Sequence, residues 1–263
     1  VNGLEPEALR GGLLKRGIMK VYENQQMTNW TINQIQKKMA EGRSKDDPLH
    51  ASEIYGCFRK TVLNRNHEIS YDPETIMMFA VGFAMQEWFL GHEPASKEVF
   101  GVLFSADQVV GENIIEFKTT RKSVEKYAKD NKGKPDKTIP KVAFHPTEMD
   151  HWINRTRAYC AAHDINTAHI LVFFLYQNAM KAWTFEFSDQ ELAVVKKDIV
   201  VRREELEPMV AVYKKSKIVP PISTRNNDWE CEYCPFLMAV DGWKGCLKEL
   251  QDDGVKISPR KKD

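Results

Sequence analysis

The stretch Asp107-Gln-Val-Val-Gly-Glu-Asn-Ile-Ile-Glu-Phe-Lys-Thr-Thr120 decides how this chain is read. It closes one β-rich run, Glu98 to Val110, and holds a second, Asn113 to Thr119, joined by Gly111-Glu112, a two-residue hairpin turn with glycine first. Side chains alternate faces along a strand, so Glu116 and Lys118 project together while Ile115 and Phe117 face the other way. With that turn, strict antiparallel pairing sets residue 107 opposite residue 116 and makes Asp107 and Glu116 neighbours across the hairpin. Two carboxylates that close repel and raise a pKa unless a cation lies between them. All-oxygen donors of this kind suit Mg²⁺ or Mn²⁺, and Lys118 is placed to hold a hydroxide or to stabilise charge on a phosphate. The plainer reading, a cross-strand Glu–Lys surface pair, accounts for most E-x-K triplets.

Outward from this hairpin the pattern alternates. Thr31 to Met39 sets Ile32, Ile35 and Met39 on one helical face, and a charged linker, Gly42 to Pro48, follows. A short helix is expected through Ile54, Cys57 and Thr61. Asp72-Pro73 is an N-cap followed by proline at the first helical position, opening a helix to Leu90 with Gly91 as its C-cap. That helix is apolar nearly all round, which predicts a central position. Residues 122–147, rich in Lys, Asp and Gly, read as a mobile surface insertion. A helix over Glu148 to Ala162, strands over Ala168 to Tyr176 and Ala182 to Phe187, and a helix from the capping box Ser188-Asp-Gln-Glu191 to about Lys215 complete the pattern. Helices, a hairpin, a helix, two strands and a helix make an α/β sandwich around one sheet.

Composition sets bounds rather than a function. The 263 residues, 42% hydrophobic and 29% charged with a net charge of +1, exclude whole-chain disorder and a histone-like blanket of positive charge. The longest apolar run, Ile170 to Tyr176, is far short of a membrane span, and Val1 to Met19 has no signal-peptide core. A cytoplasmic protein with no membrane partner is expected.

Five cysteines fit a reducing compartment and point to a metal or a reactive thiol. Cys231-Glu-Tyr-Cys234 is a C-x-x-C knuckle, with Cys246 beyond it and Cys57 far upstream; Cys160 reads as a small core residue. Four thiolates suffice for a Cys₄ zinc site or a [4Fe–4S] cluster, and a C-x-x-C is also a redox pair, so spacing alone leaves the three open.

As a set, these motifs resemble the PD-(D/E)XK nucleases, in their RecB-like exonuclease branch. Ile115 to Thr120 is similar to that branch's hydrophobic-E-x-K-T-T stretch, and Asp107 to its preceding metal-binding aspartate. The resemblance implies a restriction-endonuclease-like α/β core with a central mixed sheet flanked by helices. In it Asp107 and Glu116 hold Mg²⁺ or Mn²⁺ and Lys118 is the catalytic lysine. Gly82-Phe-Ala-Met-Gln86 lies where the family carries Gly-x-x-x-His, with Gln86 in place of the metal-binding histidine; a Gln carbonyl oxygen also suits Mg²⁺. His151 to Tyr159 occupies the place of the family's Gln-x-x-x-Tyr helix; Tyr159 matches, the Gln position is Arg155 or Asn154 depending on register, and Tyr159 with Arg155 is expected at the substrate.

One cysteine ahead of these motifs and three behind them resemble the iron–sulfur members: the CRISPR-associated RecB-type exonucleases, AddB and phage relatives. There a [4Fe–4S] cluster staples the domain ends, which assigns Cys57, Cys231, Cys234 and Cys246 to the cluster. Closing a loop of roughly 170 residues removes roughly 4–5 kcal/mol of denatured-state entropy by analogy with a disulfide. The implied organisation is a helical extension over 1–49, a nuclease domain over 50–250 with a C-terminal Cys-rich segment, and a basic tail over 251–263. Arg121 and the lysines between 122 and 141 lie just past the E-x-K strand, where they could follow a nucleic-acid backbone. The implied activity is metal-dependent exonucleolytic hydrolysis of DNA, on single strands or ends, alongside recombination or CRISPR-adaptation proteins. The rivals are a catalytically weak DNA-binding protein of the same fold, favoured by Gln86, and a zinc-ribbon interaction protein.

Overall fold

The computed structural model describes residues 24–40, 47–67, 71–91, 93–127, 134, 137–138, 141–221, 231, 234–237 and 245–246. The chain divides into two compact units, Val1–Arg43 and Ser44–Asp263. In the first, helix α1 (Gln25–Ala40) opens on Asn24, whose Oδ1 accepts the Met27 N–H at 3.1 Å. It is longer at its start than the expected Thr31 to Met39.

The second unit begins with β1 (Leu49–His50), α2 (Ala51–Ile54) and α3 (Phe58–Asn66). The single helix expected here is broken at Cys57, the extended N-cap of α3, whose sulfur accepts the Lys60 N–H at 3.4 Å. Helix α4 (Pro73–Leu90) starts as its sequence dictates: Asp72 Oδ1 accepts the Thr75 N–H at 2.9 Å and Gly91 closes it at φ +90°. Its expected central position is not what the structure shows. Met77, Phe83 and Trp88 are exposed, Trp88 to 84%, because only one flank, with Phe89 against Phe117, meets a sheet.

The expected single run Glu98 to Val110 is three strands: β2 (Ala95–Val99), β3 (Val102–Ala106) and β4 (Gln108–Val110). Phe100 and Gly101, at φ 54° and 72°, form a tight hairpin turn between the first two, in the positive-φ pair that matches strand twist. Strand β5 (Asn113–Thr120) pairs antiparallel with β4 in the predicted register, Gln108 opposite Ile115 and Val110 opposite Asn113, across Gly111 at φ 58°. The ends of the insertion pair as a ribbon, β6 (Glu125–Lys126) with β7 (Val142–Ala143); most residues between them lie outside the described set. Helix α5 (Asp150–His163) is the crossover that returns the chain to β8 (Thr167–Phe174), parallel to β5, before β9 (Ala179–Glu186) and α6 (Asp189–Ser216).

The expected one sheet is therefore two mixed sheets, β1-β3-β2 and β4-β5-β8-β9, which the chain leaves and enters at Asp107. Ala168, Ile170, Val172 and Phe174 of β8 are all buried on one face of the larger sheet. One core gathers α5 and α6 with α2, α3 and β3; a second joins Ile170, Val172 and Phe174 to Phe144 and Trp152. Register puts Glu116 beside Ile170 and Lys118 beside Val172, so both site residues share the α5 side of the sheet with apolar neighbours. No helix among the described residues is long and apolar enough to cross a membrane.

Candidate active site and thiol cluster

Asp107 sits where β3 ends and β4 begins, and its carboxylate completes the hairpin. Continuing the β4–β5 ladder beyond Gln108 and Ile115 would pair residue 106 with Phe117. The chain bends away instead, and Asp107 Oδ2 accepts the Phe117 N–H at 2.6 Å. Gln86 of α4 donates its Nε2 to the other oxygen, Oδ1, at 2.9 Å. The carboxylate is thus held in one orientation by a backbone and a side-chain donor. Gln86 was expected to present its oxygen to a cation; here its amide nitrogen positions Asp107.

Glu116 is 1% exposed, a carboxylate in the apolar row between Ile114 and the buried Thr120. Its Oε1 accepts from Lys118 Nζ and lies 3.6 Å from the Arg155 guanidinium, while Oε2 is buried with no partner. Lys118 also donates to the Phe117 carbonyl at 3.0 Å and stands 3.8 Å from Asp107 Oδ2. Asp107, Glu116, Lys118, Gln86 and Arg155 therefore meet at the hairpin rim. Burial pushes the Asp107 carboxyl up to about 6; Lys118 opposes the rise and the Glu116 charge adds to it.

The other expected substrate residues are placed differently. Tyr159 is buried in the first core with its ring edge-on to Phe104, 6.4 Å between centroids, one helical turn beyond Arg155. Arg121 turns away from the rim and pairs with Glu74 at the start of α4, 3.0 Å apart. His151, not singled out as a site residue, lies one turn before Arg155 on the same helix. Burial and then the charges of Arg155, Lys118 and Lys122 lower its pKa to about 4, leaving a neutral imidazole near the rim at physiological pH. Its i, i+4, i+8 spacing with Arg155 and Tyr159 was the available signal.

The thiols come from both ends of the second unit. Cys57 caps α3; Cys231 and Cys234 form a turn in which the Cys234 N–H donates to the Cys231 carbonyl at 3.2 Å; the Cys246 N–H donates to Phe236 at 3.2 Å. Arg59, buried, ties the ends together. Its Nε donates to the Pro220 carbonyl at 2.7 Å and a terminal nitrogen reaches Cys246 Sγ at 3.7 Å. Burial pushes the Cys234 thiol up to about 11, with Cys57 and Cys246 close enough to add to the rise. Cys160 is apart and fully buried, its thiol pushed up to about 12 by burial. Trp229, Tyr233 and Trp243, which flank the cysteines in the sequence, lie outside the described residues.

The residue types present suit two different groups. Half-buried thiols, two of which, Cys57 and Cys246, meet N–H donors, suit a thiolate-bound centre. Two carboxylates, one with an unpartnered buried oxygen, suit a hard dication. Among the described residues no three His, Cys, Asp or Glu side chains already converge on one metal position.

No family model matches the chain, and no curated protein matches its sequence. Among solved structures, the crystal structure of SSO0001 superposes with a TM-score of 0.50 at 12% identity, over 80% of this chain and 94% of its own, a likeness of fold. The alkaline exonuclease LHK-Exo from Laribacter hongkongensis gives a TM-score of 0.38 at 13% identity, and its complex with dAMP gives 0.36 at 14%. Each covers 65% of this chain and 93% of its own.

Proposed function

We propose that this chain is a divalent-metal-dependent deoxyribonuclease that hydrolyses phosphodiester bonds in single-stranded DNA or at DNA ends. The observation that carries the reading is the meeting of Asp107, Glu116 and Lys118 at the rim of one hairpin, with a Glu116 oxygen buried and unpartnered. A carboxylate oxygen buried without a partner is costly, and Glu116, 1% exposed, carries one in Oε2. Asp107 and Glu116 would hold Mg²⁺ or Mn²⁺, which when bound lowers the pKa of water and polarises a phosphoryl oxygen. Lys118 keeps its ammonium between the two carboxylates and faces the negative charge that builds on the phosphorus oxygens. The Phe117 N–H and Gln86 fix the plane of Asp107 so that its orientation does not reorganise during the reaction.

In this reading Cys57, Cys231, Cys234 and Cys246 hold a structural [4Fe–4S] cluster, supported by the thiol set and by the Arg59 clamp between the domain ends. They take no part in hydrolysis.

End-labelled single-stranded and duplex DNA incubated with Mn²⁺ tests the activity. Cleavage that falls at least a hundredfold in Lys118→Ala, with DNA binding retained, is the expected result. Binding without cleavage in the wild type favours the DNA-binding alternative and overturns the enzyme. Iron and acid-labile sulfide analysis on anaerobically purified protein tests the cluster; one zinc per chain and no iron overturns it.

A further inference from the structure

We infer that Arg155 is a stand-in cation: it compensates the buried Glu116 while the site lacks a dication, and leaves Glu116 for the substrate phosphate when one binds. The inference rests on the dication reading above and concerns what the rest of the site does about charge.

At the rim, two carboxylates, Asp107 and Glu116, face two basic side chains, Lys118 and Arg155, so the formal charges of the four groups sum to zero. A buried carboxylate needs that compensation. Adding a dication raises the sum to +2 in a partly buried site, and releasing one of the two side-chain cations halves that excess.

Geometry decides which one moves. Lys118 is 12% exposed and its ammonium donates two hydrogen bonds, to Glu116 Oε1 and to the Phe117 carbonyl at 3.0 Å, with Asp107 Oδ2 a further 3.8 Å contact. Arg155 approaches Glu116 at 3.6 Å, longer than a hydrogen bond, and its side chain is 30% exposed. Its Nε is buried with no partner, so the present position leaves a donor unused. Arg155 is the more weakly held of the two and has the way out to solvent. The unpartnered Glu116 Oε2 gives a dication a point of attachment that does not displace Lys118 from Oε1.

The released guanidinium stays on α5 beside the rim, and its planar fork matches a phosphate. Arg155 is thus a substrate-binding residue coupled to metal occupancy, and the site presents a phosphate clamp only once the dication is in place.

Mn²⁺ binding to the full-length protein without DNA, read from the loss of the free-ion electron paramagnetic resonance signal, tests this in the wild type, Arg155→Gln and Arg155→Lys. Removing a positive charge within a few ångströms of the ion tightens Mn²⁺ binding about tenfold in Arg155→Gln, whereas Arg155→Lys stays near the wild type. Thermal denaturation gives the second readout. Arg155→Gln lowers the midpoint of the metal-free protein, and saturating Mn²⁺ removes the deficit. Equal or weaker Mn²⁺ binding in Arg155→Gln, or a midpoint deficit that Mn²⁺ leaves unchanged, overturns the inference alone. A wild type that takes up no Mn²⁺ overturns the dication reading and the inference with it.

Discussion

Asp107→Asn should stabilise the metal-free protein at neutral pH while abolishing cleavage. The Asp107 carboxyl, 13% exposed, is pushed from 3.8 to about 6 by burial and by Glu116, against the pull of Lys118. Between those two values the native state binds a proton that the unfolded chain has released, so this residue's contribution to stability falls as pH rises through the window. At about 1.36 kcal/mol per pH unit, the loss by pH 7 is about 3 kcal/mol. Asparagine mimics the protonated form. Its oxygen keeps the Phe117 N–H, and Gln86 needs only to rotate its amide to accept from the new NH₂ group. The wild-type profile alone does not isolate this effect. His151, lowered to about 4, binds fewer protons folded than unfolded, and its contribution rises over an overlapping range. The difference between wild type and variant cancels it. Urea denaturation in chelator at pH 3.5, 6.0 and 7.5 should show the two proteins nearly equal at the lowest pH. The variant should be more stable by about 1–3 kcal/mol at the highest. A variant less stable than the wild type at pH 7.5, or a difference that does not change with pH, refutes the reasoning.

Arg59→Met should lower the thermal midpoint by about 6–12 °C, from loss of a buried charged donor worth about 3 kcal/mol at about 2–4 °C per kcal/mol, and, on the proposed cluster reading, should reduce the iron bound per chain. Scanning calorimetry with metal analysis checks both. Ser188→Ala removes one half of the capping box at the start of α6, where Ser188 Oγ accepts the Glu191 N–H and Glu191 accepts the Ser188 N–H at 2.8 Å. It should cost about 1 kcal/mol in urea denaturation and leave cleavage at the wild-type rate.

What the sequence made legible was local. Gly111-Glu112 between two β-rich runs fixed the hairpin register, and with it the neighbouring of Asp107 and Glu116, because a two-residue turn permits only one pairing. Asp72-Pro73 and Ser188 to Glu191 marked helix starts because their side chains satisfy the first N–H groups wherever the helix is packed. The turn at Phe100-Gly101 was missed because a phenylalanine at φ 54° carries no turn signature; only Gly101 hinted at it. The exposure of Trp88 and Phe83 was equally hidden, since apolar composition does not report whether a second layer covers a helix. Arg155 and Tyr159 came from the resemblance to the Gln-x-x-x-Tyr helix, but their partners, Glu116 and Phe104, depend on how the α5 crossover lays that helix against both sheets. Long-range packing of that kind has no local signal.

The central claim is that a hard dication binds between Asp107 and Glu116, and anomalous diffraction from crystals soaked in Mn²⁺ tests it most directly. The account predicts a manganese peak within coordination distance of Glu116 Oε2 and of the Asp107 carboxylate, absent in Glu116→Gln. Manganese bound elsewhere, with Lys118 and Arg155 still on Glu116 and no density at the hairpin rim, would contradict it.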